Sequence, residues 1–141
     1  MIVGASFVDE PRQRKARAQN AEIKAGEFPA DFASDTKLHA HKNTAARWAK
    51  KENETHYGYK NHLKADRRDK LILAAVVTPA LTHDSQAATT LLAEGDGEAW
   101  LDSTYTGTEI AADLEAKKII GHVCEKGTRS RPLTEEQKQA N

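Results

Sequence analysis

Cysteine is almost missing from this 141-residue sequence, since Cys124 is the only one. A single cysteine excludes an internal disulfide framework and favours a reducing compartment. No apolar run approaches the roughly 20 residues of a membrane-spanning helix, and the first residues lack the basic and apolar regions of a signal peptide. We therefore expect a cytoplasmic protein without a membrane partner, in which Cys124 is a small buried hydrophobic residue.

Metal-binding histidine and cysteine pairs are also scarce. His39 and His41 have no second pair at metal spacing, so they do not predict a zinc site.

The sequence has no formal net charge, because 21 basic residues balance 21 acidic ones. The charges are nevertheless segregated: nine basic residues oppose four acidic ones over residues 42–70, and residues 94–115 carry seven acids without Lys or Arg. A polyanion partner and a metal-binding stretch would explain this, as would solvated faces that segregate charge by chance.

Apolar patterning predicts an α/β chain. Strands are expected over residues 2–8, 56–64, 71–77, 99–101 and 121–124, with the 71–77 strand buried on both faces. Helices are expected over residues 12–24, 44–52, about 85–94 and about 108–118, with a terminal helix starting near Thr134. Residues 12–54, which connect the first two expected strands, are interpreted as a polar insertion, and residues 125–141 as a polar tail. This order is compatible with an RNase H-like mixed sheet with flanking helices, although order alone fits other small α/β folds.

Alternation in the second strand separates two faces. Tyr57, Tyr59 and Leu63 share one face, which we expect in the core, while Lys60, His62 and Lys64 share the other. The charged face is open to two interpretations, a solvated sheet face or a set of phosphate contacts made together with Arg12, Arg14 and Lys15.

Asp102 follows directly on the strand 99–101, where loops of an open α/β sheet gather ligands. Carboxylates on rigid elements suit Mg²⁺, which prefers oxygen ligands. The alternative role for Asp102 is a turn or cap carboxylate beside Ser103 and Thr104. His83 and Asp84 stand at a helix start. Capping by Asp84 is the favoured interpretation, and support of a metal site or a phosphate contact is the alternative.

Five segments together resemble bacterial insertion-sequence transposases of the DDE type. They occur in the family's order and span nearly the whole chain: residues 2–14 (Ile2-Val3-Gly4-Ala5-Ser6-Phe7-Val8 and Pro11-Arg12-Gln13-Arg14), Tyr57-Gly58-Tyr59-Lys60-Asn61-His62, Thr82-His83-Asp84-Ser85-Gln86, Leu101-Asp102-Ser103-Thr104-Tyr105, and residues 126–138. The resemblance implies an RNase H-like catalytic domain that cuts and joins DNA, and therefore a nucleoid-associated location in the cytoplasm. Two Asp and one Glu would hold two Mg²⁺ or Mn²⁺ ions for an in-line displacement.

The resemblance assigns residues only in part. Asp102 matches the second Asp and would be the catalytic and metal-binding residue, but Gly4 stands at the first Asp position. Asp9 is no substitute, because it lies an odd number of positions from Gly4 and faces the other side of a regular strand. The family's Glu-bearing helix would follow Asn141, and its DNA-binding segment would precede Met1. His83, Asp84 and Tyr105 are expected to support the site, with Tyr105 orienting the loop.

Three hypotheses follow for function. The first is a single partial transposase catalytic domain over residues 1–141, inactive because one carboxylate cannot hold two Mg²⁺ ions. The second is a non-catalytic remnant that binds DNA, or that associates with itself or an intact transposase. The third is an unrelated RNase H-like nuclease that recruits Asp84 or Asp96 as replacement ligands.

Overall fold

The computed structural model describes residues 1–51 and 53–141. Within these ranges the chain alternates short strands and helices around one mixed sheet. The elements are β1 Ile2–Asp9, α1 Arg17–Lys24, α2 Ala30–Ser34, α3 Thr36–His41, β2 Arg47–Lys51, β3 Glu54–Ala65, β4 Ile72–Pro79, α4 Asp84–Leu91, β5 Glu98–Leu101, a 3-10 turn Ser103–Tyr105, α5 Thr108–Ala116, β6 Ile120–Val123 and α6 Glu135–Ala140.

The sheet has six strands in the order β2-β3-β1-β5-β6, with β4 also paired to β3. Strand β3 pairs antiparallel with β1, β2 and β4, whereas β5 runs parallel to β1 and β6 runs parallel to β5. The β3–β4 hairpin closes through Asp66, whose side chain accepts the amides of Arg68 and Asp69, each at 2.7 Å. The arrangement confirms the expected α/β class and is compatible with an RNase H-like fold.

Helices α4 and α5 cover the face of the sheet that carries Val3 and Leu101, which we call the inner face. The main hydrophobic core lies there, and it consists of Val3, Ala88, Leu91, Leu92, Ala99, Leu101, Tyr105, Ile110, Leu114 and Ile119. Apolar burial of this kind contributes about 25 cal/mol per Å², so this core fixes β1 and β5 beside each other. No helix within the described ranges is long and apolar enough to cross a membrane.

The expected helix over residues 44–52 is wrong. Residues 47–51 form β2 instead, and Glu52 lies outside the described residues. Trp48 sits directly opposite Tyr57 on β3, with ring centroids 4.9 Å apart. An aromatic cross-strand pair of this kind stabilises a sheet, and it is invisible to a local helical pattern. The expected helix over 12–24 is shorter than predicted, because it begins only at Arg17.

The expected burial of the 71–77 strand on both faces is also wrong. Strand β4 pairs with β3, and several of its apolar side chains are more than half exposed, with Leu73 at 52% and Val77 at 65%. Only Ala74 and Val76 pack partly against the core. The continuous apolar run of this chain therefore forms a strand with one face packed partly against the core and the other face exposed to solvent.

The charged face of β3 points inward, contrary to the solvated face considered from the sequence. His62 is fully buried and Lys64 is 7% exposed, opposite Ala5 and Val3 of β1. Lys64 is held there by Asp96, with Nζ at 3.0 Å from Oδ2. The opposite face, which was expected in the core, is buried only in part: Tyr57 is 5% exposed, whereas Tyr59 and Leu63 are half-buried. Charges can lie on the inner face here because acidic groups meet them at the ends of α4.

Helix starts agree only partly with the sequence. The terminal helix begins as expected, because Thr134 caps it and exchanges capping contacts with Gln137. Helix α5 begins at the expected position, but Gly107 occupies its N-cap and no side chain caps it.

Candidate functional site

Gly4 and Asp102 come together where β1 and β5 run parallel. Val3 pairs with Leu101 in that register, and the next residues along the two strands are Gly4 and Asp102. Strand β5 ends at Leu101, so Asp102 leaves the sheet beside the first half of β1. The two positions that the resemblance assigned to metal-binding carboxylates are therefore neighbours in the fold.

Asp102 organises the loop that follows it. Its Oδ1 accepts the amide of Thr104 at 2.9 Å and the hydroxyl of Ser103 at 3.1 Å, which makes it the cap of the 3-10 turn. The residue is exposed. The capping role considered from the sequence is thus present, and it leaves the carboxylate accessible to a cation on its other oxygen.

Gly4 supplies no ligand to this site. A Cβ at Gly4 would meet no atom within 4 Å, so the position has room for a larger side chain. Within residues 1–51 and 53–141, no three His, Cys, Asp or Glu side chains are grouped to hold a metal ion. The donor set does not fit a pair of Mg²⁺ ions, which need near-octahedral oxygen ligation.

Tyr105 lies buried behind Asp102, at 2% exposure. Burial, with Asp84 and Asp102 adding smaller effects, raises the pKa of Tyr105 to about 12. Its hydroxyl finds no hydrogen-bond partner among the described residues. Tyr105 therefore stays neutral at physiological pH and packs between the loop and α4.

Asp84 binds Lys60, and it does not cap α4. The Lys60 ammonium lies 2.8 Å from Asp84 Oδ1 and also donates to the Thr82 carbonyl at 2.8 Å. His83 takes the cap position instead, where its Nδ1 accepts the Ser85 amide at 3.3 Å. The favoured capping role for Asp84 is corrected because the nearby ammonium is the stronger partner for a carboxylate.

The proposed replacement ligands are also occupied. Asp84 is engaged by Lys60, and Asp96 is engaged by Lys64 and by the amide of Ala93 at 2.9 Å. Asp9, on β1, pairs with His56 at 3.2 Å. These contacts hold each carboxylate in the scaffold, and they oppose the hypothesis of an unrelated nuclease built on Asp84 or Asp96.

The six basic side chains considered for DNA contact divide into two groups. Lys60, His62 and Lys64 are turned into the inner face, and Lys15 donates to the Tyr57 hydroxyl at 3.0 Å and to the Asn43 carbonyl. Arg12 and Arg14 are exposed, with the Arg12 guanidinium 5.4 Å from the Trp48 ring centroid. Burial withdraws the first group from an outer phosphate surface and leaves the two arginines available.

Burial on the inner face also affects the titration of His62. Its Nε2 lies 2.8 Å from Thr78 Oγ1, and its Nδ1 has no partner among the described residues. Burial lowers the pKa of His62; Asp84 opposes that shift and Lys60 adds to it. The fold therefore holds His62 neutral.

Acid should destabilise the protein through His62. When the pKa of a histidine is lower in the folded state, its full contribution to the free energy of unfolding is present above the unfolded pKa of about 6.5. That contribution is lost as the pH falls below this value. We expect the free energy of unfolding to fall between pH 7 and pH 5 by up to about 1.4 kcal/mol per pH unit from this group. Urea unfolding of the wild type and His62→Gln at several pH values would measure it. An equal pH slope in the two proteins would contradict the assignment.

The ion pairs that tie α4 to β3 were not foreseen from the sequence. Lys60–Asp84 lies at the start of the helix, and Lys64–Asp96 lies just beyond its end. The partners are 24 and 32 residues apart, so no local spacing reveals them. The only sequence signal was the recurrence of basic side chains on one face of a strand.

Comparison with known proteins places the chain in a family. The family model described as Transposase DDE domain matches residues 32–141. No curated protein and no solved structure matches the chain. The match covers β3, β4, α4, β5 and the Asp102 loop, and it begins after β1 and Gly4. The chain belongs to the transposase DDE domain family.

Proposed function

We propose that this chain is a DNA-binding member of the transposase family that does not cut or join DNA. The observation that carries the proposal is Gly4, which stands beside Asp102 and offers no carboxylate. In the family the chemistry needs divalent ions that activate a nucleophile and stabilise the leaving oxygen. Asp102 alone provides only one carboxylate ligand for such ions.

Binding to DNA rests on the exposed cations of the insertion and of β2. Arg12 and Arg14 precede α1, while Lys50 and Lys51 lie on β2, and all four are exposed. Basic side chains that neutralise phosphates release condensed counterions, so their affinity for DNA falls steeply with salt. This chemistry requires no metal ion and is independent of the Gly4 position.

Two assays with the 141-residue chain test the proposal. Fluorescence anisotropy with a labelled duplex should show binding whose logarithm falls linearly with the logarithm of salt concentration. Nicking and strand-transfer assays with Mg²⁺ or Mn²⁺ should show no product. Metal-dependent cleavage that is lost in Asp102→Ala would overturn the proposal, and so would the absence of salt-sensitive binding.

Gly4→Asp should create metal binding that the wild type lacks. The new carboxylate has room and would lie beside Asp102, so two oxygen ligands would face one cation. We expect Mn²⁺ to broaden the amide resonances of Asp102 to Tyr105 in the variant, and not in the wild type or in Gly4→Asp/Asp102→Ala. Strand transfer should stay absent. Equal broadening in wild type and variant would contradict the role given to Gly4.

Association with a transposase chain, its own or an intact one, is a second candidate. The observation that favours it is the exposed apolar surface of β4, where Leu73 is 52% and Val77 is 65% exposed. Strand edges of this kind pair readily with another chain. Light scattering of the wild type and Leu73→Lys would test self-association. A monomer at all concentrations would remove that form of the candidate.

A further inference from the structure

A cavity of about 310 Å³ lies between β1, β2 and the start of α4. Its walls include Phe7 of β1, Lys50 and Lys51 of β2, and Leu81 and His83 before α4. The cavity is separate from the Asp102 carboxylate but adjoins its loop, because Thr104 also lines it. It therefore opens next to the Gly4–Asp102 site without being part of it.

The charge of this cavity is positive. Lys60 and Asp84 both line it, but they pair with each other and cancel. Lys50 and Lys51 remain, and neither pairs with a carboxylate within residues 1–51 and 53–141. Two flexible lysine side chains in the lining of a cavity favour an anion, and phosphate is a good match for such point charges.

The lining of the cavity also includes a side chain with an unpaired hydroxyl and two apolar side chains. Thr104 Oγ1 is buried and has no hydrogen-bond partner among the described residues. Buried hydroxyls are normally paired, so rotation of the Thr104 side chain toward a ligand oxygen in the cavity would give this one a partner. Phe7 and Leu81 offer apolar surface on the other sides. A phosphate esterified to a sugar would contact the polar side chains through its phosphate and the apolar side chains through its sugar. An inorganic anion would contact only the polar side chains.

The location of the cavity favours DNA as the source of this phosphate. Ala5 lines the cavity and directly follows Gly4, and Thr104 follows Asp102 by two residues. A DNA strand that passes Gly4 and Asp102 would thus carry a neighbouring phosphate to the cavity mouth. We propose that the cavity binds a phosphate of a DNA strand lying across the Gly4–Asp102 site, an inference that rests on the proposed DNA binding.

Charge-neutralising variants test the ammonium groups. Lys50→Gln/Lys51→Gln should weaken duplex binding about tenfold in low salt, and should make the salt slope shallower by about 1 to 2. The matched control is Lys37→Gln/Lys118→Gln, which removes the same charge at exposed positions outside the cavity. It should change the affinity less than threefold. Amide spectra of both variants should match the wild-type fold.

Thr104→Val tests the cavity interior without a change of charge. Removing the hydroxyl should weaken DNA binding about two- to fivefold and leave the salt slope unchanged, because no phosphate charge is lost to a cation. In amide NMR titrations of the wild type, the duplex should shift Phe7, Leu81 and Thr104. Inorganic phosphate should shift the same amides only at much higher concentration.

The outcomes separate this inference from the proposed function. If the duplex binds with an unchanged salt slope in Lys50→Gln/Lys51→Gln and leaves the three cavity amides unshifted, the cavity site is overturned while DNA binding stands. If inorganic phosphate shifts these amides and the duplex does not, the DNA assignment of the site is overturned. If the wild type binds no duplex at all, the proposed function and this inference fail together.

Discussion

Replacing Lys64 with methionine should lower the free energy of unfolding by about 3–5 kcal/mol, the cost of leaving a buried carboxylate without its counterion. The side chains of Lys64 and Asp96 are 9% and 11% exposed, and both Oδ atoms of Asp96 lie within 3.1 Å of Nζ. Methionine keeps much of the length of the lysine stem and removes only the charge. Domains of this size are stable by about 5–15 kcal/mol, so the loss should be large in urea unfolding.

Two control variants identify the cause of that loss. Lys64→Met/Asp96→Asn removes both charges, retains an oxygen for the Ala93 amide, and should recover most of the stability. Lys138→Met breaks the exposed Lys138–Glu135 pair on α6 and should cost less than about 1 kcal/mol. A small effect of Lys64→Met, equal to that of Lys138→Met, would show that the inner-face pair does not stabilise the fold.

Strand β5 and the capped turn after it were predictable because their signals are local. A short apolar run, Ala99 to Leu101, ends at a carboxylate, and the structure gives this segment as β5 followed by a capped turn. The parallel pairing with β1 then places Gly4 next to Asp102. Neighbouring residues carry the patterns of such strands and caps, so reading along the chain recovers them.

The faces of β3 and the existence of β2 were not predictable in the same way. Alternation separates Lys60, His62 and Lys64 from the tyrosines, but it does not say which side the helices will cover. The charged face of β3 can be buried because Asp84 and Asp96, which are distant in the sequence, neutralise Lys60 and Lys64. Strand β2 depends likewise on the Trp48–Tyr57 pair, a contact between strands.

Substituting Gly58 with alanine should have the other large effect on stability. Gly58 lies in β3 at φ +150°, a conformation that residues with a side chain rarely adopt. A Cβ there would collide with the Val8 carbonyl oxygen and would lie 2.9 Å from the Glu10 amide nitrogen. Backbone strain of about 1–3 kcal/mol and overpacking of about 1–3 kcal/mol should together lower the free energy of unfolding by several kcal/mol.

The loss should extend beyond one residue, because Gly58 joins three strands. It pairs with Asp9 of β1 and Arg47 of β2, and its carbonyl accepts the amide of Ala80 at 3.0 Å. Gly4→Ala is the matched control: it is also a strand glycine, its Cβ would meet nothing within 4 Å, and its stability should change by less than about 1 kcal/mol. Urea unfolding and amide exchange of β1 and β3 would compare the two variants. Equal stability in Gly58→Ala and Gly4→Ala would contradict the close approach of β1 to β3 at Gly58, on which the insertion and the sheet both depend.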